Sequence, residues 1–326
     1  MFSASSYPER TRGDWMTAWK PVWHATLLFL LGALWGLQFV LLKIATDAGL
    51  GEINILLVSM VLLAAGFLAA MAVAKAWFRP TWRHVRFFLI SGFLGFVLPL
   101  GGAILAAREI SAGVIVLFEA LTPIFTMALA LVLRTEAMTL RRRISMTLGL
   151  LGVLCILAPA VINPGSISLL GIGFALSLPI IYAIECVYVA AHWPSDIRPL
   201  QVVTGEAVAG VVLLLPLLVF WDESSVSALS WTYSHWAVLL FVLISFVEAY
   251  LYFYLISRAG AVFVSLASLI SMFAGIFFGI ILIGESHPAS VWLAVVLAAL
   301  ALYAPLHKKR ECAPGGIEKS KAATCR

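Results

Sequence analysis

Charged residues are scarce in this sequence: only 11% of its 326 residues are Asp, Glu, Lys or Arg, whereas 63% are apolar. A water-soluble domain is about half apolar and about a quarter charged. The scarcity of charge therefore excludes an ordinary soluble enzyme, a disordered chain and a nucleic-acid-binding domain. The mean hydropathy of +1.05 indicates instead a chain that lies mostly in lipid.

Motifs for metal binding and for enzymatic catalysis are missing as well. The four cysteines show no CxxC pair and no Cys/His spacing, so neither a zinc site nor a disulfide framework is expected. The chain has no HExxH, no GxSxG, no P-loop and no histidine in the middle of an apolar segment. We therefore expect no metal, no cofactor and no enzymatic activity.

The apolar residues that dominate the sequence fall into ten runs, each suited to cross a membrane as a helix. A hydrocarbon core about 30 Å thick takes about 20 helical residues at a rise of about 1.5 Å each. The sequence thus predicts an all-α integral membrane protein with ten transmembrane helices. We expect these segments at residues 23–45, 53–74, 87–107, 112–133, 145–162, 168–191, 201–221, 236–256, 260–283 and 288–306.

Basic residues favour one orientation of these segments. With the N-terminus in the cytosol, only Lys43 and Arg108 of the 21 basic residues fall on the outer side. An excess of Lys and Arg on the cytosolic side is typical of membrane proteins, and contact with the lipid bilayer accounts for these residues without a nucleic-acid partner. Residues 1–22 contain charges and no apolar run, so we expect a cytosolic segment rather than a signal peptide, and residues 307–326 are expected to form a cytosolic basic tail.

The two halves of the chain carry matching landmarks at a nearly constant spacing. Glu136 and Glu285 both precede a predicted helix and are 149 residues apart, while Arg108 and Arg258 are 150 residues apart. A duplicated unit of five helices explains this spacing. Because five is odd, the second copy enters the membrane from the opposite side, as in many secondary transporters. The two repeats are expected at residues 23–162 and 168–306.

Local features occur in a characteristic order along the first repeat. Trp35-Gly36 is followed by Lys43, Ser111-Ala112 opens the fourth segment with Pro123 inside it, and an acidic residue precedes the fifth and tenth segments. In these features the sequence resembles the EamA-type members of the drug/metabolite transporter superfamily, from about residue 23 to residue 306. The resemblance implies two inverted five-helix EamA repeats, a central cavity lined mainly by helices 1, 3, 4, 6, 8 and 9, and export of a small metabolite.

Four glutamates lie inside the apolar segments, where a charged side chain costs about 2.5–3.5 kcal/mol on insertion scales. They are Glu119, Glu185, Glu206 and Glu248, and no Lys or Arg is expected at a comparable depth. We hypothesise that some of them alternate between a proton and the substrate. The alternative is a permanently protonated carboxyl that is hydrogen-bonded across helices, and Glu206 is also near enough to the cytosolic end to reach interfacial water.

Pro123 follows Glu119 by four residues and therefore leaves the carbonyl of Glu119 without its helical donor. A freed carbonyl beside a carboxyl would suit an ammonium group or a proton-carrying water. The alternative is a simple proline kink or hinge, which membrane helices tolerate.

Aromatic residues accompany two of the other carboxyls. Tyr182 precedes Glu185 by three residues and Tyr252 follows Glu248 by four, so each pair shares a helix face. Such faces suit a zwitterionic or cationic ligand with an apolar body, through hydrogen bonds and cation–π contacts. Trp35 and Gln38 are expected to line the same space, although packing alone would also explain the tyrosines.

Two charged residues near segment ends have simpler explanations. Lys43 is expected either to extend toward the membrane interface or to face the pathway, as the resemblance implies. Glu285 is expected to favour the dipole of the last helix from a position before its first turn.

The sequence thus predicts a secondary-active transporter that exports small amino-acid-like or amine metabolites by alternating access. Export is expected to be either proton-coupled or facilitative. Efflux of lipophilic cationic drugs is the alternative, and a channel or an intramembrane enzyme is an alternative of another class. The expected location is the bacterial inner membrane, with both termini in the cytosol. The expected partners are a small-molecule substrate and the lipid bilayer, and a homodimer is an open possibility.

Overall fold

The computed structural model describes residues 19–132, 168–216 and 233–306, with isolated positions at 144, 147–148, 151–152 and 154–155. No strand occurs in these residues, and nine of the ten predicted segments contain a helix there. The residues outside this description include most of the expected segment at 145–162, Glu136, most of the N-terminal segment and the basic tail.

The helices follow the apolar runs closely, because backbone groups in lipid must be paired within the chain and a helix achieves this locally. They are α1 (Trp19–Asp47), α2 (Glu52–Val73), α3 (Trp82–Gly92), α4 (Leu98–Glu109), α5 (Ala112–Glu119), α6 (Thr122–Val132), α7 (Leu169–His192), α8 (Pro199–Leu214), α9 (Tyr233–Ala259), α10 (Ala261–Ser265), α11 (Ala267–Ile283) and α12 (Ala289–Leu306).

Seven helical stretches of the described residues are long and apolar enough to cross a membrane. They contain α1, α2, the rod from α3 to α4, the pair α5 and α6, α7, α9 and the region from α10 to α11. Large apolar side chains such as Phe29 and Phe277 are exposed on the outside of the bundle, where lipid would cover them. The chain is therefore a multi-pass membrane protein.

Three of the spans are interrupted within the membrane. A π-helical turn at Phe93–Val97 joins α3 to α4, just before Pro99. The helix of the fourth segment stops after Glu119 and resumes at Thr122, so that Pro123 falls in the first turn of α6, where its missing N–H does no harm. A third break separates α10 from α11. Such breaks are tolerated at membrane depth when they are buried in protein or line a cavity.

The third span begins earlier than its apolar run. The sequence predicts a start near residue 87, but α3 starts at Trp82. The backbone N–H of Thr81 donates to Nδ1 of His84 at 3.1 Å, which stabilises the helix start and explains the extra turn. The apolar pattern missed this turn because residues 82–86 alternate between apolar and basic side chains and do not extend the apolar run.

The two halves of the chain interlock rather than lying side by side. Helix α1 packs along α9 and α11, and α5 packs against α11. A Cβ atom at Gly36 would lie only 2.4 Å from the carbonyl oxygen of Ser271, so the close approach of α1 to α11 depends on the glycine.

Glu285 joins the halves at the end of the bundle that contains Lys43. Its carboxylate accepts hydrogen bonds from the backbone N–H groups of Ala112 at 2.7 Å and Gly113 at 3.0 Å. The expectation that Glu285 serves the last helix is therefore corrected: it caps α5, because the chain turns back toward the first half after α11. Burial would raise the pKa of Glu285, but hydrogen bonds from His287 and the two amides hold it below the ordinary value.

Candidate functional site

A cavity lies between the two halves of the bundle. Helices α1, α2 and α4 and the π-helical turn line it from the first half, and α7 and α9 from the second. Trp35 contacts Tyr252, and Gln38 contacts Glu248, which sets α1 and α9 antiparallel across the cavity. Ligand sites of membrane carriers typically lie at such a repeat interface.

Two of the four intramembrane carboxyls line this cavity. Gln38 donates through Nε2 to Oε2 of Glu248 at 3.4 Å, a long bond that leaves most of the acceptor capacity of Glu248 unused. The hydroxyl of Tyr252 donates to Oε2 of Glu185. Because that proton is committed to Glu185, the tyrosine oxygen is an acceptor for the thiol of Cys186, which lies 3.1 Å away.

Aromatic rings form the wall beside these carboxyls. The ring of Trp35 stands edge-on to Tyr182, with centroids 5.1 Å apart, and to Tyr252, with centroids 6.0 Å apart. The structure thus brings Trp35, Tyr182 and Tyr252 together with Glu185 and Glu248. The hypothesis of a site for a cationic ligand depends on this grouping. Carboxylates beside aromatic faces attract an organic cation.

The described lining of the cavity contains two carboxyls and no Lys or Arg. A charged group enters a low-dielectric site at a net gain only when an opposite charge and hydrogen bonds compensate for its lost hydration. The cavity therefore suits a ligand that carries a positive charge and an apolar body.

Glu119 lies outside the cavity lining, at the end of α5 against α11. Its side chain is fully buried, Ser271 donates through Oγ to Oε2 at 3.0 Å, and Oε1 has no partner. The carbonyl oxygen of Glu119 accepts from Oγ1 of Thr122 at 2.6 Å. The sequence predicted that Pro123 leaves this carbonyl free to bind a ligand, and that prediction is wrong, because the hydroxyl of Thr122 already donates to it. Only the carboxyl of Glu119 keeps an oxygen without a partner.

Glu206 is fully buried on α8, and neither of its carboxyl oxygens has a partner. The expectation that it could reach interfacial water is corrected. A Cβ atom at Gly92 would lie 2.7 Å from the carbonyl oxygen of Glu206, so α3 seals this part of α8. At the start of α8, Gln201 donates to the carbonyl of Ala76 at 2.8 Å and holds the loop between α2 and α3 against this helix.

Lys43 lies near the end of α1, outside the cavity lining. Its Nζ donates to the carbonyl of Ala107 at 2.8 Å and lies 2.7 Å from Oδ1 of Asp47. These contacts hold α1 against the end of α4, so Lys43 has a structural role here.

The sequence did not single out Ser59, which lines the cavity from α2. A serine in an apolar helix gives no signal of its own, since its position relative to a cavity depends on how the helix is rotated. Capping of α5 by Glu285 was missed for a similar reason, because 172 residues separate Gly113 from Glu285.

Comparison with known proteins places the fold and the family. A family model described as the EamA-like transporter family matches residues 22–158 and again residues 169–304. Among solved structures, 22 chains match; one, titled only "Crystal structure of protein", has a TM-score of 0.62 at 17% identity and covers 89% of this chain and 99% of that chain. At that identity the likeness shows the fold alone. No curated protein matches the sequence.

Proposed function

We propose, because this chain belongs to the EamA-like transporter family, that it is a secondary-active transporter that exports small amine or amino-acid-like metabolites. The observation that carries the proposal is the cavity between the halves, with two carboxyls, an aromatic wall and no basic residue in its described lining. Glu248 is the principal site for the ammonium group, because Glu185 already accepts the hydroxyl of Tyr252. Trp35 and the two tyrosines hold the apolar body.

The architecture proposed for this transporter is ten transmembrane helices in two inverted five-helix repeats. Its support is the double family match and the nine described segments that contain a helix. The distribution of basic residues favours cytosolic termini and insertion in a bacterial inner membrane. In that orientation the Lys43 end of the bundle faces outward. A homodimer is compatible with this arrangement.

Alternating access requires the halves to separate at one end at a time. At the outward end, the hydrogen bonds from the first residues of α5 to the carboxylate of Glu285 are the contact to be released. At the opposite end, Nε2 of His84 lies 3.1 Å from Asp196, and this interaction links α3 to the loop before α8. Since Nδ1 of His84 accepts from Thr81, Nε2 carries the proton that is donated to Asp196.

Proton coupling is assigned to Glu119. Its unpartnered Oε1 can take and release a proton, and Ser271 donates to Oε2 from the opposite half. Because Glu119 lies outside the cavity lining, its proton exchange does not require displacement of the substrate. Movement of α11 against α5 would change the environment of the carboxyl and so couple proton binding to the opening of the halves.

Purified protein in liposomes, tested with amines, amino acids and lipophilic cationic dyes under an imposed pH gradient, tests the proposal. We expect saturable, pH-driven uptake of small amines that is lost in Glu119→Gln and retained in Glu109→Gln, a change at an exposed carboxyl. Uptake restricted to the dyes would favour drug efflux instead. A conductance that does not saturate would indicate a channel and overturn the carrier mechanism.

A further inference from the structure

Two serine hydroxyls in the cavity wall lack the backbone bond that most of the described helical hydroxyls make, as does Ser290 of α12, which lies outside the cavity lining. Serine and threonine side chains in apolar helices commonly bond to a carbonyl three or four residues earlier. The hydroxyls that do so here are those of Thr46, Ser91, Thr122, Thr126, Ser177, Thr204, Ser257 and Ser268. Ser59 on α2 and Ser245 on α9 make no such bond.

Both hydroxyls are buried and lack any hydrogen-bond partner. Ser59 is 1% exposed and Ser245 is 6% exposed, and both residues line the central cavity. A buried polar group without a partner costs about 1–3 kcal/mol. Their occurrence together in the wall of the cavity that contains Glu248 indicates that the partner arrives with a ligand.

The distance between Ser245 and Glu248 sets the distance between the two groups of the ligand that bind them. The two residues are three positions apart on α9, so their Cβ atoms are about 5–6 Å apart on one face of the helix. A ligand whose ammonium group binds Glu248 therefore presents atoms two or three bonds from its nitrogen to the hydroxyl of Ser245. Ser59 approaches from α2, which packs against α9 where Phe67 stacks on Phe246.

The charge of the lining decides which polar group the ligand carries there. A carboxylate beside the serines would enter a cavity that already holds Glu185 and Glu248, with no Lys or Arg in the described lining. An uncompensated buried charge is strongly unfavourable, whereas a hydroxyl, amide or ester carbonyl needs only a neutral donor. The lining thus discriminates against a zwitterion.

We infer that Ser59 and Ser245 form a polar subsite for a neutral hydrogen-bonding group, and that the cargo is an arylalkyl or alkyl amine carrying such a group close to its nitrogen. This inference rests on the proposed function and narrows its substrate class from amino-acid-like molecules to amino alcohols, amino amides and amino esters. Glu248 supplies the countercharge, and the serines distinguish substituted amines from plain ones.

Three cargo probes that share one aromatic body test the inference: 2-phenylethylamine, phenylalaninol and phenylalanine. Their affinities are measured by competition for saturable uptake in liposomes that contain wild type, Ser59→Ala, Ser245→Ala or Ser177→Ala. The Ser177 hydroxyl already bonds to the carbonyl of Phe174 outside the cavity lining, which makes Ser177→Ala the matched control.

We expect wild type to favour phenylalaninol over 2-phenylethylamine, and both over phenylalanine. Each cavity variant should reduce the preference for phenylalaninol over 2-phenylethylamine by about two- to tenfold, the range for one neutral hydrogen bond, while Ser177→Ala keeps the wild-type ratio. An unchanged ratio in both cavity variants, or tightest binding of phenylalanine, overturns the inference and leaves amine transport standing. Failure of wild type to transport any of the three probes overturns the proposed function and the inference with it.

Discussion

Replacing Glu285 by alanine is expected to weaken the joint between the two halves. The carboxylate of Glu285, whose side chain is 8% exposed, bonds to the N–H groups of Ala112 and Gly113 at the start of α5. The variant removes both bonds at once and leaves the N–H of buried Ala112 without an acceptor. Because α5 belongs to the first half and Glu285 to the second, the loss affects their association as well as the helix.

The size of the effect follows from the two bonds. A hydrogen bond to a charged group contributes about 1.5–3 kcal/mol, and removal of a helix N-cap costs about 0.5–2 kcal/mol. Since both bonds share one carboxylate, they add less than two independent bonds, and we expect a loss of about 2–4 kcal/mol. Glu285→Gln keeps one oxygen acceptor and should lose roughly half as much.

The pH dependence of this contribution has a definite sign. The folded-state pKa of Glu285 lies below its ordinary value of 4.5. Its stabilising contribution is therefore fully present above pH 4.5 and is lost as the pH falls through the lowered pKa. The difference in stability between wild type and Glu285→Gln should accordingly narrow in acid.

Unfolding of the purified protein in detergent, followed by its helical circular dichroism, measures both effects. Glu109→Ala is the control, because Glu109 accepts one hydrogen bond from Ser168 at an exposed position and water can replace it. Its loss should be below about 1 kcal/mol. If Glu285→Ala were no less stable than Glu109→Ala, the capping of α5 from the opposite half would be wrong.

Three further changes test other parts of the structure. Glu119→Gln should remove pH-driven uptake but keep exchange of labelled for unlabelled amine, since a glutamine oxygen still accepts from Ser271. If exchange were lost as well, the proton site would not be separate from the cargo site. Gly36→Ala should destabilise the protein by about 1–3 kcal/mol or more, because its Cβ would lie 2.4 Å from a carbonyl oxygen of α11; an unchanged melting temperature would refute that close contact. His84→Phe should return the pKa of Asp196 toward its ordinary 3.8, because the hydrogen bond from His84 is the main cause that lowers it. Carbon NMR titration of Asp196 measures this pKa, and an equal pKa in wild type and variant would show that the pair does not form.

The membrane spans and the intramembrane carboxyls were accessible from the sequence for one physical reason. Lipid demands long apolar helices, so a run of apolar residues identifies a span, and a glutamate inside it stands out because its burial is costly. The same rules identified Glu119 and Glu248 without any knowledge of packing.

The arrangement of those residues depends on contacts between distant segments, which periodicity does not encode. The hydroxyl of Tyr252 reaches Glu185, 67 residues away, and α3 seals Glu206 from water. Thr122 occupies the carbonyl that Pro123 frees, a local effect that the spacing of Glu119 and Pro123 alone did not reveal. Rotation of each helix about its axis decides such contacts, and nearly uniform apolar sequences specify that rotation weakly.

Binding of the ammonium group by Glu248 is the central claim, and exchange of labelled 2-phenylethylamine across liposomes tests it most directly. Without the carboxylate, the positive charge would enter the cavity with no counterion beyond Glu185, which already accepts from Tyr252. Loss of one partner of a buried charge pair costs about 2–5 kcal/mol, so Glu248→Gln should lower the apparent affinity at least roughly tenfold while Glu109→Gln keeps it. Undiminished, saturable exchange in Glu248→Gln would contradict the claim.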